Sequence, residues 1–221
     1  MAIILNIDTA IDTASVCLAK DGKALQSAVN SHQRDHASWL HPTIQKIVAE
    51  AGLSLKNIDA VAVTIGPGSY TGLRVGLAAA KGLCYALTVP LIAINTLQMM
   101  AFAAKEEEAD FICPMIDARR MEVFMAVYDK QMAAIIKPCA LVVEPHSFDS
   151  LLAQGKILFL GNGSQKLKPV IVHPNVIFNN MAVVADDMTL LSESSFTKKS
   201  FVALENVEPF YIKEFYTPPL H

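Results

Sequence analysis

Between an apolar, β-branched run (Ala60 to Ile65) and an apolar helical run reaching about Thr88 stands Gly66-Pro67-Gly68-Ser69-Tyr70-Thr71-Gly72-Leu73-Arg74. Glycines and a proline at a strand-to-helix junction allow a sharp bend and close approach of the backbone to another group. The unpaired amides that open the following helix attract anions. Two readings are therefore open: a phosphate cradle around Gly66 and Gly68, or a tight turn packing helix on sheet. The loop is not a P-loop, because Thr71 stands where the second glycine belongs and no Gly-Lys-Ser/Thr follows. It also lacks G-x-G-x-x-G spacing, since Thr71 follows Gly68 by three residues.

With 221 residues, 52% of them hydrophobic, the chain can bury a core in one large domain or two small ones. Its net charge is −3, with 18 Lys and Arg against 21 Asp and Glu. A protein gripping RNA unaided shows a clustered basic face. Here Arg119-Arg120 and Lys198-Lys199 are isolated pairs, so tRNA is not expected to be held by this chain alone. Cys17, Cys84, Cys113 and Cys139 are far apart without C-x-x-C spacing. They are expected to be buried, reduced thiols of a cytoplasmic protein, not zinc ligands or a disulfide framework. No basic segment precedes the first apolar run, so no signal peptide is expected. The run Leu77 to Ile94 contains Lys81 and is divided by Pro90, which predicts a soluble helix and a buried strand, not a membrane span.

The order of patterns predicts three strands (Ala2 to Ile7, Ala14 to Ala19, Lys23 to Asn30), with Asp21-Gly22 as a hairpin turn. A helix from His36 to Ala51, the Ala60 strand, the glycine loop and its helix come next. A strand at Leu91 to Ile94 and a helix from Thr96 to Glu107 complete the first half. Phe111 to Ile116 then ends at Asp117 and returns as Val123 to Tyr128. Ile7-Asp8-Thr9-Ala10 and Ile116-Asp117-Ala118-Arg119 occupy matching places, so the second half restarts the pattern, with less regular helices afterwards. The charged stretch Lys105 to Asp110 marks a boundary between an N-terminal half, 1–108, and a smaller C-terminal half, 109–221.

An aspartate closing the first strand of each half resembles the actin, hexokinase and heat-shock ATPase superfamily. The resemblance implies an α/β, ribonuclease H-like duplicated fold with a reduced second half. In that superfamily the two aspartates face a cleft holding nucleotide phosphates and a metal, which would make Asp8, Gly66, Gly68 and Asp117 a vestigial nucleotide or anion site. Neither Thr9–Thr13 nor Ala118–Glu122 contains glycine, so side chains crowd a triphosphate there.

A narrower resemblance rests on Ile7-Asp8-Thr9-Ala10, His36 leading to Pro42, the whole 66–74 loop, Ile116-Asp117-Ala118-Arg119, Glu122-Val123-Phe124 and Glu208-Pro209-Phe210-Tyr211-Ile212-Lys213. On these motifs the chain resembles the TsaB (YeaZ) family, the non-catalytic subunit of the bacterial machinery that makes threonylcarbamoyladenosine in tRNA. Met121 and Phe124 depart from the glycine and tyrosine frequent in that family, and Leu141 to Val207 carries little that is diagnostic. The resemblance implies a subunit that is no enzyme by itself and pairs with a catalytic TsaD-type subunit, joined by a TsaE-type ATPase. It implies a homodimer when alone, tRNA contact only through the complex, no tightly bound cofactor, and nucleotide at a subunit interface. The first two helices should form the pairing surface, with Trp39, Thr43, Leu73, Arg74 and Leu77.

The related catalytic subunit carries two metal-binding histidines at positions matched here by Thr96 and Met100, a hydroxyl and a thioether poorly suited to divalent metals. No metal is therefore expected, and a glycoprotease-type metallopeptidase is disfavoured. His32 and His36 straddle the helix start at Asp35, so their spacing does not make a ligand pair. Gly161-Asn162-Gly163-Ser164 is not G-x-S-x-G, which leaves no nucleophile elbow. The competing enzyme reading is an ATP-dependent phosphotransferase or ATPase using Asp8 and Asp117, which requires binding at millimolar ATP.

Overall fold

The computed structural model describes residues 2–32 and 35–213. Strands β1 (Ile3–Asp8), β2 (Ala14–Lys20) and β3 (Lys23–Asn30) form an antiparallel meander, closed at Asp21-Gly22 by residues at positive φ. Helix α1 (His36–Glu50) leads to β4 (Ala60–Gly66), α2 (Tyr70–Leu87), β5 (Leu91–Asn95) and α3 (Thr96–Ala103). The first sheet has the order β3-β2-β1-β4-β5, with β4 and β5 added in parallel by helical crossovers.

The second sheet repeats this plan. Strands β6 (Phe111–Asp117), β7 (Glu122–Asp129) and β8 (Ala134–Val142) are an antiparallel meander; β9 (Ile157–Leu160) and β10 (Val176–Asn179) join in parallel. Read from its meander edge, the order is β8-β7-β6-β9-β10, strand for strand that of the first sheet. The expected duplication is thus present, and the fold is the α/β actin- and hexokinase-like one. The less regular helices expected after Tyr128 are present: beside three strands, that region carries a single-turn α4 (Asp149–Leu152), α5 (Thr189–Thr197) and 3-10 turns at Asn162–Lys166 and Ala185–Met188.

Alternation along the strands explains the layers. Leu5, Ile7, Val16, Leu18, Val61 and Val63 point to one face of the first sheet, where α1 packs through Leu40, Ile44, Ile47 and Val48 and α2 through Leu77, Ala80 and Cys84. Ile4, Cys17, Ala60, Ala62 and Ile92 point to the other face. There they share one core with Leu97 and Met100 of α3, with Ile112, Ile116, Leu158 and Leu160 of the second sheet, and with Val183, Ala185 and Met188. Cys113, Met115, Val123 and Phe159 fill a third core on the second sheet's far face. The sheets divide near residue 108, yet the chain returns: α5 packs on β1 and β5, and Val202 bridges Leu91. The boundary therefore separates the sheets, while α5 and Val202 of the second half lie against the first of them. All four cysteines are free; Cys17, Cys84 and Cys113 are buried and Cys139 half-buried. Among the described residues, no helix is long and apolar enough to cross a membrane.

Candidate functional site

The glycine loop packs against the β1–β2 turn. A side chain on Gly68 would run into the Ala10 carbonyl, one on Gly72 into the Thr9 carbonyl, and one on Gly76 into the Thr9 hydroxyl. Ser69 N–H donates to the Ala10 carbonyl (2.7 Å), the Ser69 hydroxyl accepts from Gly72 N–H (3.2 Å), and the Thr9 hydroxyl donates to the Gly72 carbonyl (2.7 Å). The loop's glycines thus let the start of α2 touch the first turn, and the Ser69 and Gly72 amides are spent on the protein itself. Gly66 is held at φ +123° beneath the Phe210 carbonyl, and Phe210 N–H donates to Ile65 O (2.7 Å).

The two strand-end aspartates make the same turn. Asp8 Oδ1 accepts from Ala10 N–H (3.0 Å), and Asp117 Oδ1 from Arg119 N–H (2.5 Å). Their surroundings differ. Asp8 is wholly buried, also accepts from the Thr64 hydroxyl (2.6 Å), and leaves Oδ2 without a partner. Burial pushes its pKa up to about 6 against the opposing Thr64 and Ala10 hydrogen bonds. Asp117 is exposed on the cleft; desolvation, the largest single influence, raises its pKa, but Lys166 at 2.6 Å, the Arg119 amide and the charges of Lys166 and Arg119 together hold its carboxyl below the usual range. Asn162 clasps the two turns together, accepting from Asp117 N–H and donating to Asp12 Oδ2, both at 2.8 Å.

A metal-nucleotide does not fit this arrangement. Asp8 lines none of the cavities around the turns, whereas Asp117 lines the one of about 420 Å³ beside Gly68, Ser69 and Arg119. Asn162 spans the gap between the turns. Among the described residues, no group of three acidic, histidine or cysteine side chains is placed to hold a metal ion. Gly66 and Gly68 serve packing; Gly68 and Asp117 share one cavity, while Asp8 is buried behind it.

On the sheet's far side, α1 and α2 lie beside each other. Leu73 and Leu77, named for the pairing surface, are 0% and 4% exposed and belong to the chain's own core; Thr43 is also buried. Trp39 is half-buried against the same core. Arg74 is exposed but engaged: its guanidinium stands 4.1 Å over the Tyr70 ring and donates to the Tyr211 hydroxyl at 3.3 Å. Tyr211 stacks on Tyr70 with ring centroids 5.3 Å apart. Ala78, Gly82 and Ala86 form an exposed ridge one turn apart, flanked by Tyr85, 83% exposed. A side chain on Gly82 would meet nothing within 4 Å.

Residues 25–208 match the family described as TsaD, tRNA N6-adenosine threonylcarbamoyltransferase. A transferase of that description from Treponema pallidum is 34% identical over 51% of this chain, but over only 36% of its own length. The Escherichia coli tRNA threonylcarbamoyladenosine biosynthesis protein TsaB is 32% identical over 95% of this chain and 94% of its own. The crystal structure of YeaZ from Pseudomonas aeruginosa superposes with a TM-score of 0.82 at 28% identity, covering 96% of this chain and all of that one. End-to-end coverage decides between the branches. The chain belongs to the TsaB (YeaZ) family.

In this TsaB-family chain Thr96 and Met100 are interior. Thr96 is buried with its hydroxyl unpartnered, and Met100 is 2% exposed at the edge of a cavity. His36 is buried at the start of α1, where burial lowers its pKa, while His32 is exposed before the helix. Sequence reasoning missed the Asn162 clasp and the Ala78-Gly82-Ala86 ridge. The ridge was legible as small residues four apart; the clasp joins partners from three distant segments and had no local sign.

Proposed function

We propose that this chain serves threonylcarbamoyladenosine biosynthesis as a non-catalytic pairing subunit, seating a catalytic TsaD-type subunit on its α1–α2 face. The observation that carries this reading is the exposed ridge Ala78-Gly82-Ala86. Small residues four apart let a second helix approach to the short end of ordinary interaxial distances. Tyr85 beside the ridge and Arg74 at its head are the side-chain types that anchor interfaces. Leu73, Leu77 and Thr43 support the face from beneath, and Trp39 packs at its edge.

Kinship between this chain and the transferases supports a pairwise arrangement, since related helix pairs meet in a homodimer or in a mixed pair by the same geometry. The chain alone is then a homodimer, and the mixed pair displaces it. Transfer of the threonylcarbamoyl group to N6 of the adenosine beside the anticodon takes place on the partner. A TsaE-type ATPase joins the pair, and a nucleotide at a subunit interface belongs to that assembly. The net charge of −3 accords with tRNA contact only through the complex.

The test is light scattering on a size-exclusion column, with this chain alone, with the TsaD-type subunit of its own organism, and with the Gly82→Trp variant. The expected result is a homodimer that gives way to a stable mixed complex, with the variant folded but unpaired. A wild-type monomer indifferent to that subunit would overturn the reading.

A further inference from the structure

Tyr85 is 83% exposed on α2, and neither its ring nor its hydroxyl engages another described residue by ring contact or hydrogen bond. An amphipathic ring left in water on a helix face is a side chain that partners bury. Two turns toward the helix start, the same flank opens into a groove of about 420 Å³. One bank is α2, at Arg74, Leu77 and Lys81; the other is the returning segment, at Val207, Glu208 and Pro209. Leu77 and Val207 are buried and make an apolar floor. Arg74 is fixed by the Tyr70 ring at 4.1 Å and the Tyr211 hydroxyl at 3.3 Å, so the head of the groove is preformed.

Charge decides what the groove takes. Arg74 and Lys81 stand on the helix bank and Glu208 on the other, and among the described residues no ion pair joins them. A tyrosine answers all three: its ring face attracts the cations, its hydroxyl donates to the carboxylate, and its apolar body covers Leu77 and Pro209. From Tyr70 to Leu87 α2 carries no acidic residue. An aromatic ring is therefore what the same helix of a second copy can offer those cations.

Helical residues advance about 1.5 Å and turn about 100° each, so Ala78 and Tyr85 lie roughly 10 Å apart along the axis and within about 20° of one stripe. Arg74 and Lys81 fall on that flank too. When two copies pair about a two-fold axis, antiparallel helices bring equal flanks to the same side, and a residue beyond the axis meets one before it. An axis between Lys81 and Gly82 thus sets each Tyr85 over Ala78 of the other copy, at the mouth of the groove. Parallel helices would put equal flanks on opposite sides and leave both rings in water. Gly82, at the crossing, has no side chain to hold the helices apart. We propose that the homodimer pairs α2 antiparallel about Gly82, with each Tyr85 seated in the other copy's groove between Arg74, Lys81 and Glu208. Both sockets rest on the pairing function proposed above and fix its geometry.

The experiment is sedimentation equilibrium of the wild-type chain, Tyr85→Ala and Tyr85→Phe, together with photo-crosslinking from p-benzoylphenylalanine placed at position 85. Tyr85 is exposed, so these variants keep the fold. Tyr85→Ala should raise the homodimer dissociation constant about a hundredfold, since each dimer loses two anchors. Tyr85→Phe keeps the ring and should cost about tenfold; Glu208→Gln in that background should add nothing, because the hydroxyl it met is already gone. Irradiation should give a covalent dimer whose adducts fall within 74–81 or 207–211 of the other copy. A loss under about threefold for Tyr85→Ala, or adducts confined to other segments, would overturn the proposal while leaving pairing intact. A wild-type chain that stays monomeric at about 0.1 mM would remove the homodimer itself, and the sockets with it.

Discussion

The Asp8 carboxyl hydrogen-bonds through Oδ1 alone, and its buried Oδ2 faces no partner among the described residues. A carboxyl in that position is easier to keep protonated in the fold than in the unfolded chain. Its pKa of about 6 lies above the unfolded value of 3.8, with burial as the main cause and Asp187 adding a smaller repulsion. Between these values the folded state holds a proton that the unfolded state has released. The stabilisation is therefore complete below about pH 4 and lost as pH rises through 6, a change on the order of 2–3 kcal/mol. Asp8→Asn keeps the Oδ1 acceptor and removes the titration. Urea unfolding at pH 5 and pH 8 should show wild type losing more stability over that interval than the variant; equal losses would refute the assignment to Asp8. A second residue, Gly68, was legible in sequence as special but not for its reason. The run 66–74 announced a tight strand-to-helix junction, while the groups it touches, Thr9 and Ala10, lie far away in the chain. Because a side chain on Gly68 meets backbone and not a movable side chain, Gly68→Ala should destabilise by roughly 3 kcal/mol in the same assay. A change under about 0.5 kcal/mol, within the range of ordinary surface substitutions, would mean the junction is loose.

Elements of the first half were readable because each is a long or continuous apolar run bounded by turn residues: α2, expected to end near Thr88, ends at Leu87, and β4 and β5 fall where their apolar runs stand. The second half obscures its strands. β9 and β10 are four residues each, and β8 is a half-exposed edge strand interrupted by Lys137 and Pro138, a residue tolerated at edges. Which face of a helix is free was harder still. On α2 the apolar surface runs nearly all round, so periodicity could not say that Leu73 and Leu77 face inward while Ala78, Gly82 and Ala86 face outward. Gly82 gives the sharper test because it is open on every side. In the isolated chain Gly82→Ala should stabilise by up to about 1 kcal/mol through helix propensity alone. Gly82→Trp should keep the fold and abolish pairing. Loss of the fold in the tryptophan variant would show that this face is covered by the chain itself.

At the scale of the whole molecule, the duplicated topology invites the expectation of two independent lobes, and the packing contradicts it. The central core takes Ile4, Ala62 and Ile92 from the first sheet, Ile112, Ala126 and Leu158 from the second, and Val183, Ala185 and Met188 from the returning segment. Ala185 N–H donates to the buried Ser15 hydroxyl at 2.8 Å, Lys213 closes on Glu122 at 2.5 and 2.7 Å, and Phe210 is tied to Ile65. The exposed ion pair adds little to stability. The shared core adds much more, because either half alone would present its inner sheet face to water. Calorimetry should therefore record one unfolding transition, with calorimetric and van't Hoff enthalpies equal. A fragment of residues 1–108 should lack dispersed amide resonances, since α3 and the inner face of the first sheet lose the cover of 183–188 and α5. Two resolved transitions, or a folded 1–108 fragment, would show instead that the halves are autonomous. The clasp by Asn162 would then be a hinge closure between moving bodies, and the cavity beside it would change volume with their angle.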